Sequence, residues 1–231
     1  MQALRSVTLA PRHLIHAFLL LAGLSCAGPR GDDAGKDSTS ARISSTGADQ
    51  DGDRERVLAS QGLARRVGDT LVLTLRGRQS ARLVHDTTGT DNSMLYAFDG
   101  HLSHAPFFGI RVSYFEGSGY LIVHDSTGRQ TQLDAPPLVS PSGRLIATAS
   151  IDLVAAFDPT RLFVASLNGD TLRTEFELSP EDWGPDSLQW QGEDTLRFVQ
   201  RLVTEEPGVY RSQPAQLIRS ATGWRLVSTH P

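Results

Sequence analysis

Short apolar and polar runs alternate along the chain from about residue 62 onward, and turn residues interrupt them roughly every 8–12 positions. The side chains of a β-strand point to its two faces in turn, so short, regularly spaced strands of this kind are typical of all-β domains. The pattern predicts strands at residues 70–75, 81–85, 94–98, 107–115, 120–124, 145–149, 162–167, 171–178, 195–199, 216–219 and 224–228. We therefore expect an all-β domain over residues 62–231.

The clearest alternation lies in residues 171–178. Apolar and charged side chains are expected on opposite faces of this strand, namely Leu172, Phe176 and Leu178 against Arg173, Glu175 and Glu177. Asn168-Gly169 precedes the strand and predicts a tight hairpin turn, because both residues tolerate positive φ. Residues 55–66 are the one helical candidate, but they lack an apolar stripe, so we expect at most one short helix there.

A short sequence unit recurs along these strands. Leu83-Val-His-Asp-Thr-Thr-Gly89 and Ile122-Val-His-Asp-Ser-Thr-Gly128 are nearly identical, and weaker copies follow at residues 164–170 and 217–223. The first three copies are about 40 residues apart, and a longer gap precedes the fourth. This period, with a hairpin in each unit, is typical of propeller blades. The alternative is that Asp-x-Thr-Gly is simply a common turn sequence.

A second motif strengthens the propeller interpretation. Ser140-Pro-Ser-Gly-Arg-Leu-Ile-Ala147 resembles the Ser-Pro-Asp-Gly-Arg strand opening of bacterial WD40-like, TolB-type blades, with Ser142 in place of the usual Asp. Residues 162–169 resemble the later hairpin of such a blade, and residues 183–198 resemble the start of the next one.

The chain is also similar to small exported bacterial proteins of unknown function. They carry Tyr-Phe-Glu-Gly, Ser-Pro-x-Gly-Arg, Ile-Asp-Leu and Trp-Gly-Pro in this order, here at residues 114–117, 140–144, 151–153 and 183–185. The resemblance covers residues 66–228. It implies an all-β, propeller-like array of three to four antiparallel β-meander blades, in a closed or an open ring, and it implies no established activity.

Residues 1–26 contain a basic region, an apolar region and a small-residue region, in the order found in a secretory signal peptide. Arg5 and Arg12 precede an apolar run at residues 14–24, which is too short to span a bilayer, and small residues follow it. Cys26 lies where this run ends, which resembles the lipidated cysteine of bacterial lipoproteins, although Gly23 departs from the usual leucine. Lipidation of Cys26 would anchor the protein in a membrane. The alternative is ordinary cleavage after Ala27 and a periplasmic or secreted protein.

Residues 27–61 are rich in Gly, Asp, Ser, Thr and Ala, which predicts a disordered linker between the signal peptide and the all-β domain. This linker contains Asp49-Gln-Asp-Gly-Asp53, which invites comparison with a calcium-binding loop. Arg54 and Ser60 occupy the positions at which that loop requires Gly and Glu. We therefore expect Asp53 to be a solvated linker residue rather than a ligand.

Composition excludes several functions. The formal net charge of −4 and the scattered arginines disfavour nucleic-acid binding. A single cysteine excludes an internal disulfide and a cysteine-rich zinc site. We expect no cofactor.

The candidate reactive side chains are few. His101 and His104 have His-x-x-His spacing, and His85 and His124 lie in the repeated turns, but polar turn residues explain all four, so we expect no metal site. Gly117-Ser118-Gly119 lacks the sequence of a nucleophile elbow and predicts a turn instead.

Two further sets of residues suggest a function. Asp152, Asp158 and Glu116 could serve as hydrolytic carboxylates, although acids in such loops are commonly turn formers. Tyr114, Phe115 and Trp183 could form an aromatic recognition patch, although packing in the core would also explain them.

The leading hypothesis is a non-catalytic binding module of the cell envelope, exported and anchored at the outer membrane or free in the periplasm, which binds a protein or a glycan. A hydrolase that uses the loop carboxylates and a purely structural envelope component are the alternatives.

Overall fold

The computed structural model describes residues 45–88, 93–153, 157–206 and 209–228, with side chains from Gly52 onward. The predicted signal peptide, Cys26 and residues 27–44 lie outside the described residues. In the described part, the elements in chain order are α1 (Ser45–Ala59), β1 (Ala64–Val67), β2 (Thr70–Thr74), β3 (Ser80–Val84), β4 (Met94–His101), β5 (Phe107–Tyr114), β6 (Ser118–His124), β7 (Gln130–Leu133), β8 (Leu138–Val139), β9 (Leu145–Ser150), β10 (Arg161–Asn168), β11 (Thr171–Leu178), β12 (Trp183–Trp190), β13 (Thr195–Val203), β14 (Tyr210–Ser220) and β15 (Gly223–Ser228).

The strands form four antiparallel sheets, each a meander in which neighbours in sequence are neighbours in the sheet. Sheet 1 contains β1–β3, sheet 2 contains β4–β7, sheet 3 contains β8–β11 and sheet 4 contains β12–β15. The prediction of an all-β domain built from antiparallel meanders is therefore confirmed. Sheet 1 has three strands, whereas each of the other sheets has four.

Three hydrophobic cores join consecutive sheets. Leu71, Leu73 and Leu83 of sheet 1 pack with Phe98, Phe108 and Ile110 of sheet 2. Phe107, Tyr120 and Ile122 of sheet 2 pack with Ile146 and Ala165 of sheet 3. Ala147, Leu162 and Val164 of sheet 3 pack with Leu196 and Phe198 of sheet 4. Among the described residues, no such core joins sheet 4 to sheet 1.

Sheets 2 and 3 are buried on both faces. Adjacent residues therefore contribute to different cores, as Phe107 and Phe108 do in β5 and as Ile146 and Ala147 do in β9. Because side chains alternate between the faces of a strand, a strand buried on both faces reads as a continuous apolar run. This explains why the sequence predicts the central strands of these two sheets, β5, β6, β9 and β10.

The recurring sequence unit occupies an equivalent place in every sheet. Its four copies begin near the end of the third strand, in β3, β6, β10 and β14, and run into the turn that follows. Gly89 of the first copy lies outside the described residues. Gly169 in the third copy has φ of 62° and occupies the first position of the two-residue loop between β10 and β11, where a tight hairpin requires positive φ.

Every predicted strand overlaps an observed one, but β1, β7, β8 and β12 were not predicted. The β7 strand is mostly polar and lies at the edge of sheet 2, and β12 contains Gly184 and Pro185, which are usual turn residues. Proline is tolerated there because β12 is an edge strand of sheet 4.

The prediction that Leu172, Phe176 and Leu178 share one apolar face of β11 is wrong. Phe176 pairs with Val164 and Ala165 pairs with Thr174, so Glu175 forms a bulge. The extra residue reverses the alternation, since a shift of one residue moves every side chain to the other face. Leu172 consequently packs in the core between sheets 2 and 3, whereas Phe176 packs in the core between sheets 3 and 4.

The helix differs from the predicted segment 55–66. It begins at Ser45, inside the predicted linker, and ends at Ala59. Gln61 and Gly62 then adopt positive φ of 54° and 88°, which turns the chain into β1. No helix in the described part of the chain has the length and the apolar character needed to cross a bilayer.

Candidate functional site

A groove of about 1040 Å³ lies between α1, sheet 1 and sheet 2. We call it the α1–β4 groove, and it is lined by Asp53, Arg54, Val57, Leu58, Gly62, Ala64, Arg65, Arg66, Gly68, Asp69, His85, Ser93, Leu95, Tyr96, Ala97, Ser113, Tyr114 and Phe115. The lining combines arginines, aromatic rings and aliphatic side chains, a mixture found in ligand-binding clefts.

The floor of the groove is strand β4, which is an edge strand of sheet 2. The main-chain groups of Tyr96 and Phe98 point away from β5, and side chains from other elements bind them. Phe98 N donates to Asp53 Oδ1 at 2.6 Å, and Phe98 O accepts from Arg56 Nε at 2.6 Å. Because unpaired edge groups attract foreign strands, this arrangement closes the edge of sheet 2.

Tyr96 is bound in the same way from sheet 1. Its N–H donates to His85 Nδ1 at 3.1 Å, and its carbonyl accepts from Arg66 Nη2. Arg66 Nε also donates to Asp53 Oδ2 at 2.9 Å, so the guanidinium and the buried carboxylate form an ion pair. The four side chains of Asp53, Arg56, Arg66 and His85 thus hold α1 and sheet 1 against β4.

A bulge in β4 directs Asp99 toward side chains of β5 and β6 in the same sheet. Phe98 pairs with Ile110 and Gly100 pairs with Gly109, which leaves Asp99 between them without a partner residue. The Asp99 carboxylate accepts from Tyr120 Oη at 2.9 Å and from Arg111 Nε at 2.8 Å. Burial, and then the charge of Asp99, raises the pKa of the Tyr120 phenol far above its ordinary value, so it remains a hydrogen-bond donor.

The electrostatics of the groove favour a neutral His85. Burial lowers the pKa of His85, and the adjacent Arg66 guanidinium lowers it further, while Asp69 and Asp53 act in the opposite direction. Beyond the Asp53–Arg66 pair, Arg54 and Arg65 line the groove against a single further acid, Asp69. Arginines therefore outnumber acidic residues in the lining of the groove, which gives it a positive net charge.

The structure separates the three aromatic residues that the sequence suggested as a patch. Tyr114 and Phe115 both line the α1–β4 groove, and Phe115 is 57% exposed. Trp183 stacks on Phe198 with ring centroids 6.0 Å apart and packs in the core between sheets 3 and 4. Two of the three residues are thus brought together in a cavity, and the third lies elsewhere.

The suggested carboxylates hold loops in place. Asp158 accepts from Ser118 N at 3.0 Å and from Ser118 Oγ at 3.2 Å, which ties the turn before β6 to the loop after β9. Asp152 Oδ2 accepts the main-chain N–H of Phe157 at 2.8 Å and that of Asp158 at 3.2 Å. Glu116 is exposed in the turn between β5 and β6.

His101 and His124, which lie outside the groove, have hydrogen-bond partners. His101 Nε2 lies 3.1 Å from Asp125 Oδ2, and the buried His124 accepts through Nδ1 from the Ser126 and Thr127 turn. His104 has φ of 64° in the turn between β4 and β5. Within the described residues, no three His, Cys, Asp or Glu side chains converge as metal ligands.

No protein-family model matches this chain, and no curated protein matches it. The α1–β4 groove therefore has to be interpreted from its own residues.

Sequence reasoning missed most of these residues. Asp53 was expected to be solvated, but it is 6% exposed and binds both Arg66 and Phe98. Arg66 and Tyr96 were not singled out, because nothing local marks a side chain that binds the main chain 30 or 45 positions away. Among the four side chains that bind the edge of β4, only His85 lies in a repeated motif of the sequence, the turn of the recurring unit.

Proposed function

We propose that this protein is a non-catalytic binding module of the bacterial cell envelope, and that its binding site is the α1–β4 groove. The observation that carries the proposal is the lining of the groove. Tyr96, Tyr114 and Phe115 offer aromatic surface beside arginines, and aromatic and arginine side chains supply most binding hot spots.

The fold supports a binding role. The four sheets carry the same sequence unit at the third strand, which favours four propeller-like blades, the first with three strands and the others with four. In our proposal these blades form a rigid scaffold, and α1 and sheet 1 add the groove to it. The ligand is a protein or a glycan of the envelope.

The N-terminal sequence supports an envelope location. A signal peptide would export the chain, and a lipid on Cys26 would hold it at the outer membrane. Cleavage after Ala27 would instead give a periplasmic or secreted form. The part of the predicted linker that precedes α1 would let the groove reach its ligand away from the membrane surface.

The hydrolase alternative has less support. Asp152 and Asp158 already accept hydrogen bonds from loop main-chain groups, and Glu116 does not line the groove. A purely structural role leaves unexplained why exposed Phe115 and Leu58 border a large cavity.

The test is comparative capture from envelope extracts. Phe115→Ser removes an exposed ring from the groove, whereas Phe157→Ser removes an equally exposed ring, 57% against 61%, that does not line it. We expect the wild type and Phe157→Ser to retain the same protein or glycan and Phe115→Ser to lose it. Equal retention by both variants would refute the groove as the binding site.

A further inference from the structure

Two hydrogen-bond donors contact the imidazole ring of His85 in the α1–β4 groove. His85 Nδ1 lies 3.1 Å from Tyr96 N, and His85 Nε2 lies 3.3 Å from Arg66 Nη1. A guanidinium and a main-chain N–H can only donate, and a neutral imidazole accepts through one nitrogen only. Only one of the two contacts can therefore be a hydrogen bond.

The contact with Tyr96 is the one that costs more to lose. The N–H of Tyr96 belongs to an edge strand covered by sheet 1, and an unpaired buried N–H is unfavourable. We therefore assign the neutral ring a proton on Nε2. Arg66 Nη1 and His85 Nε2–H then face each other as donors and together require an acceptor.

The charges around this pair favour an anionic acceptor. Asp53 and the Tyr96 carbonyl bind the Nε and Nη2 atoms of Arg66, which leaves Nη1 as the nitrogen directed at His85. Arg65 also lines the groove. An oxygen within ordinary hydrogen-bond distance of both donors would resolve the conflict, and a carboxylate supplies such an oxygen with charge.

The main chain of β1 adds a second feature that suits a peptide. Leu63 O accepts from Thr74 N at 2.8 Å, so Ala64 and Arg66 point their main-chain groups away from β2. Those of Ala64 bond to Ser60 Oγ at 3.0 and 3.2 Å. Within the described part of the chain, the N–H and C=O of Arg66 have no hydrogen-bond partner and can pair with an extended peptide.

We propose that the α1–β4 groove binds the C-terminal carboxylate of a peptide, and that Arg66 Nη1 and His85 Nε2–H donate to it. The apolar wall that includes Val57, Leu95 and Phe115 receives the last side chains of the peptide. This inference rests on the proposed function, because it names the class of ligand that the groove takes.

The test uses the dipeptide N-acetyl-phenylalanyl-leucine with a free carboxylate, the same dipeptide as its amide, and galacturonate, with binding followed by NMR. The carboxylate is expected to bind at least about tenfold more tightly than the amide or galacturonate. An equal affinity for the acid and the amide overturns the inference, as does tighter binding of galacturonate or no binding of any probe.

The matched variants are His85→Asn and His104→Asn. Asparagine retains an acceptor for Tyr96 N–H at position 85 but removes the Nε2 donor, so His85→Asn should fold and lose the preference for the acid. His104 is exposed outside the groove, and its variant should keep the preference. An unchanged preference in His85→Asn overturns the inference.

The proposed function can survive this failure. Suppose that Phe115→Ser abolishes capture of the envelope ligand while the acid and the amide of the dipeptide bind alike. In that case the groove remains the binding site, and only the assignment of a peptide C-terminal carboxylate as its ligand is wrong.

Discussion

Asp53 in α1 accepts the main-chain N–H of Phe98 in β4 at 2.6 Å, although 45 positions separate the two residues in sequence. The same carboxylate accepts from Arg66 in β1. One side chain therefore fixes the helix, sheet 1 and the edge of sheet 2 relative to one another, and these three elements form the groove.

Asp53→Ala is expected to destabilise the protein by about 3 kcal/mol, because it leaves the Phe98 N–H and the Arg66 charge without their acceptor. Asp53→Asn should cost less, since its side-chain oxygen can still accept from Phe98. Glu55→Ala, on the exposed face of the same helix, should change stability by less than about 0.5 kcal/mol. Urea unfolding measures all three, and equal effects of Asp53→Ala and Glu55→Ala would contradict the assigned role.

The sequence predicted the central strands of sheets 2 and 3 well and the groove poorly, and both results have one physical origin. Strands such as β5 and β6 are buried on both faces, so their apolar content marks them locally. The groove instead depends on polar side chains that bind distant main-chain groups. Helix α1 docks in this way. Of its side chains from Gly52 onward, only Val57 packs against the first core, so no apolar stripe marks the helix in the sequence.

The bulge in β11 illustrates a second limit of sequence patterns. Phe176 follows Leu172 by four residues, which should place both on one face. One extra residue at Glu175 reverses that assignment, and no local sequence feature announces it.

Stability should depend on pH through His85. Burial, and then Arg66, lowers the pKa of His85 below its ordinary value of 6.5. The unfolded chain therefore takes up this proton at a higher pH than the folded protein, so the free energy of unfolding falls as the pH falls through 6.5 toward the folded pKa. The contribution is fully present above 6.5.

Urea unfolding at about pH 7.5 and about pH 5.5 tests this dependence. The loss of stability on acidification should be smaller in His85→Asn than in the wild type, and the other histidines cancel because both proteins carry them. His104→Asn serves as the control. An identical loss in the wild type and His85→Asn would show that His85 is not the responsible group.

Gly109 should tolerate no side chain while Tyr120 is present. A Cβ at position 109 would lie 2.0 Å from Tyr120 Oη, so Gly109→Ala must displace the phenol from Asp99. We expect this substitution to cost about 2 kcal/mol in the wild type and less in a Tyr120→Phe background, where the ring carbon Cζ, 2.9 Å from the added Cβ, still has to shift.

Gly119→Ala is the matched control for that cycle. Its Cβ would meet the ring of Tyr114 at 3.1 Å, and that ring is half-buried and able to shift. Additive effects of Gly109→Ala and Tyr120→Phe in thermal unfolding would contradict the steric explanation.

The N-terminus of the mature protein tests the envelope location. Mass spectrometry after expression in a bacterial host should find a chain that begins at an acylated Cys26, and Cys26→Ala should abolish membrane association. A mature chain that begins at Gly28 would establish ordinary cleavage after Ala27 and a protein without this anchor.

The most direct measurement is carbene footprinting of the complex that the wild type captures from envelope extracts, compared with the free protein. If the α1–β4 groove holds the ligand, carbene labelling should decrease at α1, Tyr96 and Phe115 and stay constant at Phe157. Protection confined to residues 151–153, 157–160 and 203–206, with the groove labelled as in the free protein, would contradict this account.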